Sequence, residues 1–402
     1  MAHSQHDITL LFAARSIRLF AYGALSVVLA LYLHESGLTG PQIGLLFTLT
    51  LLGDAGISLW ITTTADRLGR KRMLILGAGL MVTAGVVFSM TGNIVPLMIA
   101  GIIGVISPSG NEIGPFLSLE QAALSQLLPS AERTRAFAWY NVAGSLAAAC
   151  GALVGGFLSS GLTRIGLSLL ESYRTVILLY AVCGLALGLL FLLLSSDVEA
   201  ASAVSTHERV LGLHASRSIV AKLSGLFALD AFAGGFVIQS MVVYWFHVKF
   251  NLDAGMLGSI FFGTNILAGL SALVAVKLAS RIGLINTMVF THIPSNVLLC
   301  IVPFMPTPDL AIGVLLLRFS ISQMDVPTRQ SYTMAVVAPD ERAAASGITT
   351  IARSMGAAIS PVLAGALLAS PALLSAPFLM AGGLKIVYDL LLYRSFSRSK
   401  IS

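Results

Sequence analysis

The chain has 402 residues, of which 56% are hydrophobic and only 10% charged, with a mean hydropathy of +0.89. Soluble domains carry about a quarter charged residues, so this composition excludes a water-soluble globular protein and implies one that lives in lipid. The formal net charge of +6 is not a nucleic-acid footprint, because the basic residues are dispersed among short segments between apolar runs.

Crossing the ~30 Å hydrocarbon core of a bilayer takes about 20 predominantly apolar residues in a helix. Runs of that kind recur along the whole chain and predict twelve membrane helices, at 8–34, 41–64, 73–92, 94–124, 134–160, 172–195, 219–248, 254–279, 285–304, 309–337, 343–369 and 371–394. The first run follows a barely charged head, Met1 to Asp7, and is interrupted by Arg15 and Arg18. A secretion signal would pair a basic head with a clean apolar stretch, so this run reads as a mature first helix. The fourth and tenth runs are long, contain proline and glycine and carry charge; each reads as a membrane helix with a polar extension. Cys150, Cys183 and Cys300 all fall inside apolar runs, which argues against a disulfide framework.

Between the second and third runs stands a charged turn, Thr62 to Met73, carrying Asp66, Arg67, Arg70, Lys71 and Arg72. Basic residues in short loops are retained on the cytoplasmic side. With the N-terminus inside, the cytoplasmic segments hold this cluster together with Arg133, Arg135, Lys277, Arg281 and Arg342, while the outer loops hold only Arg164, Arg174 and Lys249. The expected placement is therefore a multi-pass protein of the cytoplasmic (plasma or inner) membrane with both termini in the cytoplasm.

Ser195 to Ser218 is the one polar interval of any length. It divides the chain into an N-terminal six-helix bundle (1–195), a cytoplasmic linker (196–218) and a C-terminal six-helix bundle (219–402). The halves look duplicated. At a constant offset of 209, Glu132, Arg133, Ser145 and Gly156 fall on Glu341, Arg342, Ser354 and Gly365. At 212, Phe20, Gly23 and Tyr32 fall on Phe232, Gly235 and Tyr244, and at 214 Arg67 and Gly69 fall on Arg281 and Gly283. An even number of helices per repeat sets both halves the same way up, as parallel repeats about an axis along the membrane normal.

A turn reading D-R-x-G-R-K (Asp66, Arg67, Gly69, Arg70, Lys71) between the second and third helices, inside a 6+6 parallel duplication, resembles the major facilitator superfamily over essentially the whole chain. The resemblance implies an all-α integral membrane fold that works by alternating access, with helices 1, 4, 7 and 10 lining a central cavity. It also implies that the turn latches the halves in the outward-facing state, with Asp66 near the start of the eleventh helix at Ala343 to Gly347. The sequence departs from the pattern in two places. Thr62 stands where a glycine is usual, and the fifth helix keeps Gly144, Gly151, Gly155 and Gly156 of an antiporter-like pattern but has Ala152 in place of proline.

A charged side chain at the bilayer centre costs about 2.5–3.5 kcal/mol and needs a partner or a wet cavity. Six cations (Arg15, Arg18, Arg318, Arg329, Arg353, Lys385) and six carboxylates (Asp54, Glu112, Glu120, Asp230, Asp325, Asp389) fall within the predicted spans, a balance that implies mutual pairing. Arg18 and Asp230 occupy equivalent repeat positions with opposite charge, so they are candidates to face each other across the cavity as a substrate anchor or coupling pair; a static salt bridge is the competing reading. Glu112, Arg318, Gln239 and Asp54 complete the candidate cavity set, with Arg15 the nearest cation to Asp54 in depth. Glu120 meets Arg329 under the 209 offset, and these two join Asp66, Arg67, Gly69, Arg70 and Lys71 as candidates for a cytoplasmic gate and latch.

No phosphate-cradling G-x-x-x-x-G-K-[ST] loop, Cys/His metal cluster or nucleophile constellation is present in the sequence. The expectation is therefore a non-enzyme without metal or cofactor. It is a monomeric secondary active transporter moving a small organic solute, with protons as the coupling ion and no nucleic-acid partner. The alternatives are an uncoupled facilitator or a non-transporting receptor or sensor. Balanced intramembrane charge mildly favours a neutral, zwitterionic or amphipathic solute.

Overall fold

The computed structural model describes residues 2–112, 114–199, 213, 216–338 and 341–396, and these contain helices and turns but no strand. The first half comprises α1 (Ala2–Glu35), α2 (Gly40–Leu68), α3 (Arg70–Met90), α4 (Ile94–Ile103), α5 (Phe116–Leu127), α6 (Ser130–Arg164) and α7 (Leu169–Leu192). The second comprises α8 (Arg217–Gly235), α9 (Gln239–Phe250), α10 (Ala254–Ile282), α11 (Leu284–Ile301), α12 (Pro308–Phe319), α13 (Asp325–Val336), α14 (Arg342–Leu368) and α15 (Ala376–Phe396). Of the predicted linker, residues 200–212 and 214–215 lie outside the described residues.

Among the described residues ten helical spans are long and apolar enough to cross a bilayer, with Arg217–Phe250 counted as one. The expectation of twelve helices is corrected at the fourth and tenth, the same place in each repeat, and the predicted 219–248 helix is likewise two, α8 and α9, parted at 236–238. The predicted 94–124 helix is α4 and α5 with an irregular stretch between them, and 309–337 is α12 and α13. The break before α5 follows from Pro108, Pro115, and Gly110 and Gly114 at φ +68° and +82°; proline cannot donate a helical hydrogen bond and positive φ ends the helical path. Lipid does not tolerate such backbone, so it must face protein or a watery cavity.

Polar punctuation sets the helix starts. Ser168 and Glu171 form a reciprocal capping box at α7, the Ser168 amide donating to Glu171 Oε2 at 2.9 Å. Asp253 accepts from the Met256 amide at 2.8 Å to begin α10. Gly69 and Gly283, matched at the 214 offset, make the α2–α3 and α10–α11 turns at φ +99° and +86°, which only glycine adopts without strain.

One end of the bundle gathers the start of α1, the α2–α3 turn and both described ends of the linker. The Ser195 amide donates to Asp7 at 3.0 Å and the Arg70 amide to Glu199 at 2.6 Å, while in the second half the Ser216 amide donates to Glu341 at 2.9 Å. At the opposite, far end the halves touch backbone to backbone along α2–α14 and α6–α10. A Cβ added at Gly44 would lie 2.3 Å from the Pro361 carbonyl oxygen, and one at Gly156 would lie 2.3 Å from that of Ala254. Thr48 Oγ1 accepts from the Val362 amide at 3.0 Å, next to Pro361 inside α14. Nearer the linker end, Gly347, five whole turns before Gly365 and so on the same face of α14, has open space where a side chain would be. The halves are thus closed at the far end and parted at the linker end.

Candidate functional site

A cavity of about 850 Å³ lies between the halves, lined from both. Its floor is at the closed end, where Gln239 Nε2 donates to Ser26 Oγ at 2.7 Å and Ser240 Oγ to the Ser26 carbonyl at 2.8 Å, joining α9 to α1. The Ser240 amide also donates to the Pro108 carbonyl at 3.0 Å, which satisfies backbone freed by the α4–α5 break. Of the predicted cavity residues, Glu112, Arg318 and Gln239 line the walls.

Arg18 is the hub of a charge cluster in the first half. It is fully buried and donates to two carboxylates, Glu120 within α5 at 2.6 and 2.7 Å and Glu112 just before it at 2.8 and 3.3 Å. Arg15, one turn earlier, donates to Glu112 at 2.7 Å and to Asn141 at 3.2 Å, and lies over the Tyr140 ring. The Tyr140 hydroxyl donates to Glu120. Two guanidinium groups therefore meet two carboxylates, with hydrogen bonds satisfying most of the remaining lone pairs, the condition under which buried ion pairs are tolerated.

Asp230 is the hub of the second cluster. Its carboxylate, 3% exposed, accepts from Lys385 at 2.5 Å, Arg353 at 3.1 Å and Arg329 at 3.2 Å; Arg329 is shared with Asp325 at 2.8 Å. Asp389 is occupied elsewhere, bonded to His292 at 2.9 Å and Asn296 at 3.4 Å.

The repeat equivalence of Arg18 and Asp230 has structural meaning, but of a different kind from a pair across the cavity. Arg18–Glu120 and Asp230–Arg329 join matched positions, with the sign of each charge inverted, and each bond lies inside its own half. The structure brings neither Arg18 to Asp230 nor Glu120 to Arg329. Asp54 is likewise not bonded to Arg15: its Oδ1 is buried without a hydrogen-bond partner, close to Gly114. At the charged turn, Gly69 and Arg70 meet the linker rather than the second half. Glu199 accepts from the Arg70 amide, Lys71 Nζ donates to the Leu194 carbonyl at 2.7 Å, and Arg67 is exposed. The Asp66 side chain lies outside the described residues.

Arg15, Tyr140, Asp325, Arg353 and Lys385 belong to the clusters but are absent from the predicted site set. A tyrosine in an apolar run carries no sequence signal of its partner. The cations did carry one: counted half by half, the second half has Arg318, Arg329, Arg353 and Lys385 against Asp230, Asp325 and Asp389. Pooling both halves hid this surplus. The cavity wall enlarges it, since Arg15, Arg318, Arg329, Arg353 and Lys385 line the space and Glu112 is the single carboxylate among the lining residues.

The sequence profile of the Major Facilitator Superfamily matches residues 11–361. An uncharacterized membrane protein of Saccharomyces cerevisiae is 30% identical over 423 residues, spanning 97% of this chain and 94% of its own length. The quinolone resistance protein NorA of Staphylococcus aureus is 28% identical over 137 residues, 34% of each chain. Among solved structures, the nucleoside transporter NupG superimposes with a TM-score of 0.76 at 14% identity, covering 98% of this chain and 99% of that one. A D-xylose-proton symporter gives 0.70 at 14% identity, covering 96% and 97%. A bacterial homologue of the lysosomal transporter Spinster, inward-facing and unoccupied, gives 0.69 at 15% identity, covering 98% and 96%. At these identities the structural likenesses establish the fold.

Proposed function

Because the chain belongs to the Major Facilitator Superfamily, a family of transporters and not of enzymes, we propose that it is a proton-coupled secondary active transporter of a small organic solute. A fold alone does not fix a function. The observation that carries this reading is the cavity of about 850 Å³, shared by both halves, closed at the far end by backbone contact and open towards the linker end. A solute that enters from one side and leaves from the other needs such a two-sided wall, and the within-half ion pairs leave the halves free to rock as bodies. The basic clusters at the linker end support a cytoplasmic placement of that end; in this reading the state is inward-facing, with the bundles at 1–195 and 219–402 as the moving units. In this state the charged turn grips Glu199 of its own linker; the latch to the second half belongs to the opposite state.

Asp54 is the proton-carrying carboxyl of this reading. Among the six intramembrane carboxylates it is the one without an ion pair in the described residues, and it sits beside the α4–α5 break that borders the cavity. Uptake into liposomes by the purified protein, with and without an imposed proton gradient, tests the proposal once a thermal-shift screen has supplied a solute. Gradient-driven accumulation is expected. Asp54→Asn is expected to retain counterflow exchange within about two-fold while losing accumulation above equilibrium, since exchange needs the cavity alone. Equal accumulation by the variant removes Asp54 from coupling, and flux indifferent to the gradient makes the protein a facilitator.

A further inference from the structure

We infer that the transported solute is an organic anion, bound through a carboxylate or phosphate group at Arg318 and Arg353. The inference rests on the transport reading of the cavity and deepens it. The two clusters and Arg318 together hold six cations (Arg15, Arg18, Arg318, Arg329, Arg353 and Lys385) against four carboxylates (Glu112, Glu120, Asp230 and Asp325), an excess of two positive charges. The remaining intramembrane carboxylates bond into neither cluster and do not line the cavity.

The excess is localised. Arg318 lines the cavity with no hydrogen bond or ion pair in the described residues; its Nε is buried and unpartnered, and its guanidinium lies over the Phe319 ring at 4.7 Å. Arg353 contributes one nitrogen to Asp230, a carboxylate it shares with Arg329 and Lys385, and the rest of its side chain is a third exposed to the cavity. A guanidinium at membrane depth without a counter-ion is unfavourable unless something negative visits it. Guanidinium groups take carboxylate and phosphate oxygens in paired, charge-assisted hydrogen bonds.

The rest of the wall indicates an organic body. Asn265, Gln323 and Gln330 offer neutral donors and acceptors, and the half-buried Ile238, Phe319 and Met334 offer apolar faces. The space is within the range of pockets that enclose small organic molecules and far larger than an inorganic anion fills.

The test measures binding to the purified full-length protein in detergent, in physiological chloride, using matched probes: succinate and benzoate for carboxylates, glucose 6-phosphate and uridine monophosphate for phosphates, with glucose and uridine as uncharged counterparts. At least one anionic probe is expected to bind at millimolar concentration or below and its uncharged counterpart at least ~10-fold more weakly. The carboxylate and phosphate arms identify the group recognised. Arg318→Gln is expected to weaken the bound anion roughly ten-fold or more, and Arg318→Lys to keep the preference for the anion at reduced affinity. Arg318 has no partner to strand, so these variants fold; an unchanged thermal midpoint without probe verifies it. Uncharged probes binding as tightly as anions, no probe binding, or anion affinity unchanged in both Arg318→Gln and Arg353→Gln overturns the proposal. Flux of the bound anion into liposomes is read separately: anion binding without flux defeats the transport reading and leaves the site standing, whereas flux of uncharged probes alone does the reverse.

Discussion

Asp230→Asn destabilises the protein by about 3–5 kcal/mol, the range found when one member of a buried ion pair is removed and its partner left charged. The expected loss is large because three cations converge on this carboxylate at 2.5–3.2 Å. Arg329 keeps Asp325, but Lys385, 9% exposed, and Arg353 have no other bonded carboxylate in the described residues. Asparagine matches the shape and offers an oxygen, yet it cannot balance the charge. Thermal unfolding in detergent should show a midpoint lowered by several degrees and poor recovery from the membrane. The double variant Asp230→Asn/Lys385→Met should regain part of the loss, since the cation left stranded is also removed. An unchanged midpoint in the single variant would mean that water in the cavity, and not Asp230, neutralises these cations. A coupling role predicts the contrary pattern: normal stability with altered gradient dependence.

The broad architecture was legible because its signals are long. Apolar runs of about 20 residues, Gly69 and Gly283 at matched turns, and basic residues in alternate loops each follow from what a bilayer demands of backbone and charge. The pairing of charges was not, because sequence gives depth in the membrane and not the direction a side chain points. Equivalent repeat positions match Arg18 with Asp230; in the structure each turns into its own half, towards α5 and α13 respectively. The physical reason favours that outcome. A salt bridge between the halves would have to part whenever they rock, stranding both charges, whereas Arg18–Glu120 and Asp230–Arg329 travel intact with their bundles. The break at 104–115 had its proline and glycine in view, whereas 320–324 (Ser-Ile-Ser-Gln-Met) holds neither and has only Pro327 beyond it; in both, a hydropathy run does not distinguish a polar extension beyond the membrane from irregular backbone within it. Tyr140 illustrates the remaining limit: its bond to Glu120 joins residues on different helices, and nothing local encodes it.

Gly44→Leu is expected to abolish transport, by at least ~100-fold, while leaving the protein folded. On α2 a Cβ at this position would lie 2.3 Å from the Pro361 carbonyl oxygen and 3.0 Å from the Gly365 Cα, so the obstacle is backbone of α14 and not a side chain that can turn aside. Small residues allow membrane helices this approach, and larger ones keep them apart. Overpacking a contact that can yield costs roughly 1–3 kcal/mol; here ~3 kcal/mol is a floor, enough to shift a two-state equilibrium by more than ~100-fold. The penalty falls only on the state closed at the far end, because the contact is absent once the halves part there. The variant is therefore held open on that side. A Thr350→Cys probe on the cavity wall, with the three native cysteines replaced, reports the shift: a membrane-impermeant thiol reagent should label it from the linker side in the parent and from the far side in Gly44→Leu. Gly79→Leu is the control, since a side chain there meets nothing within 4 Å. Gly156→Leu should repeat the effect through α10, where the added Cβ would lie 2.9 Å from the Gly258 Cα. Labelling from the linker side alone in both glycine variants, with transport intact, would mean that these contacts do not form the closed gate.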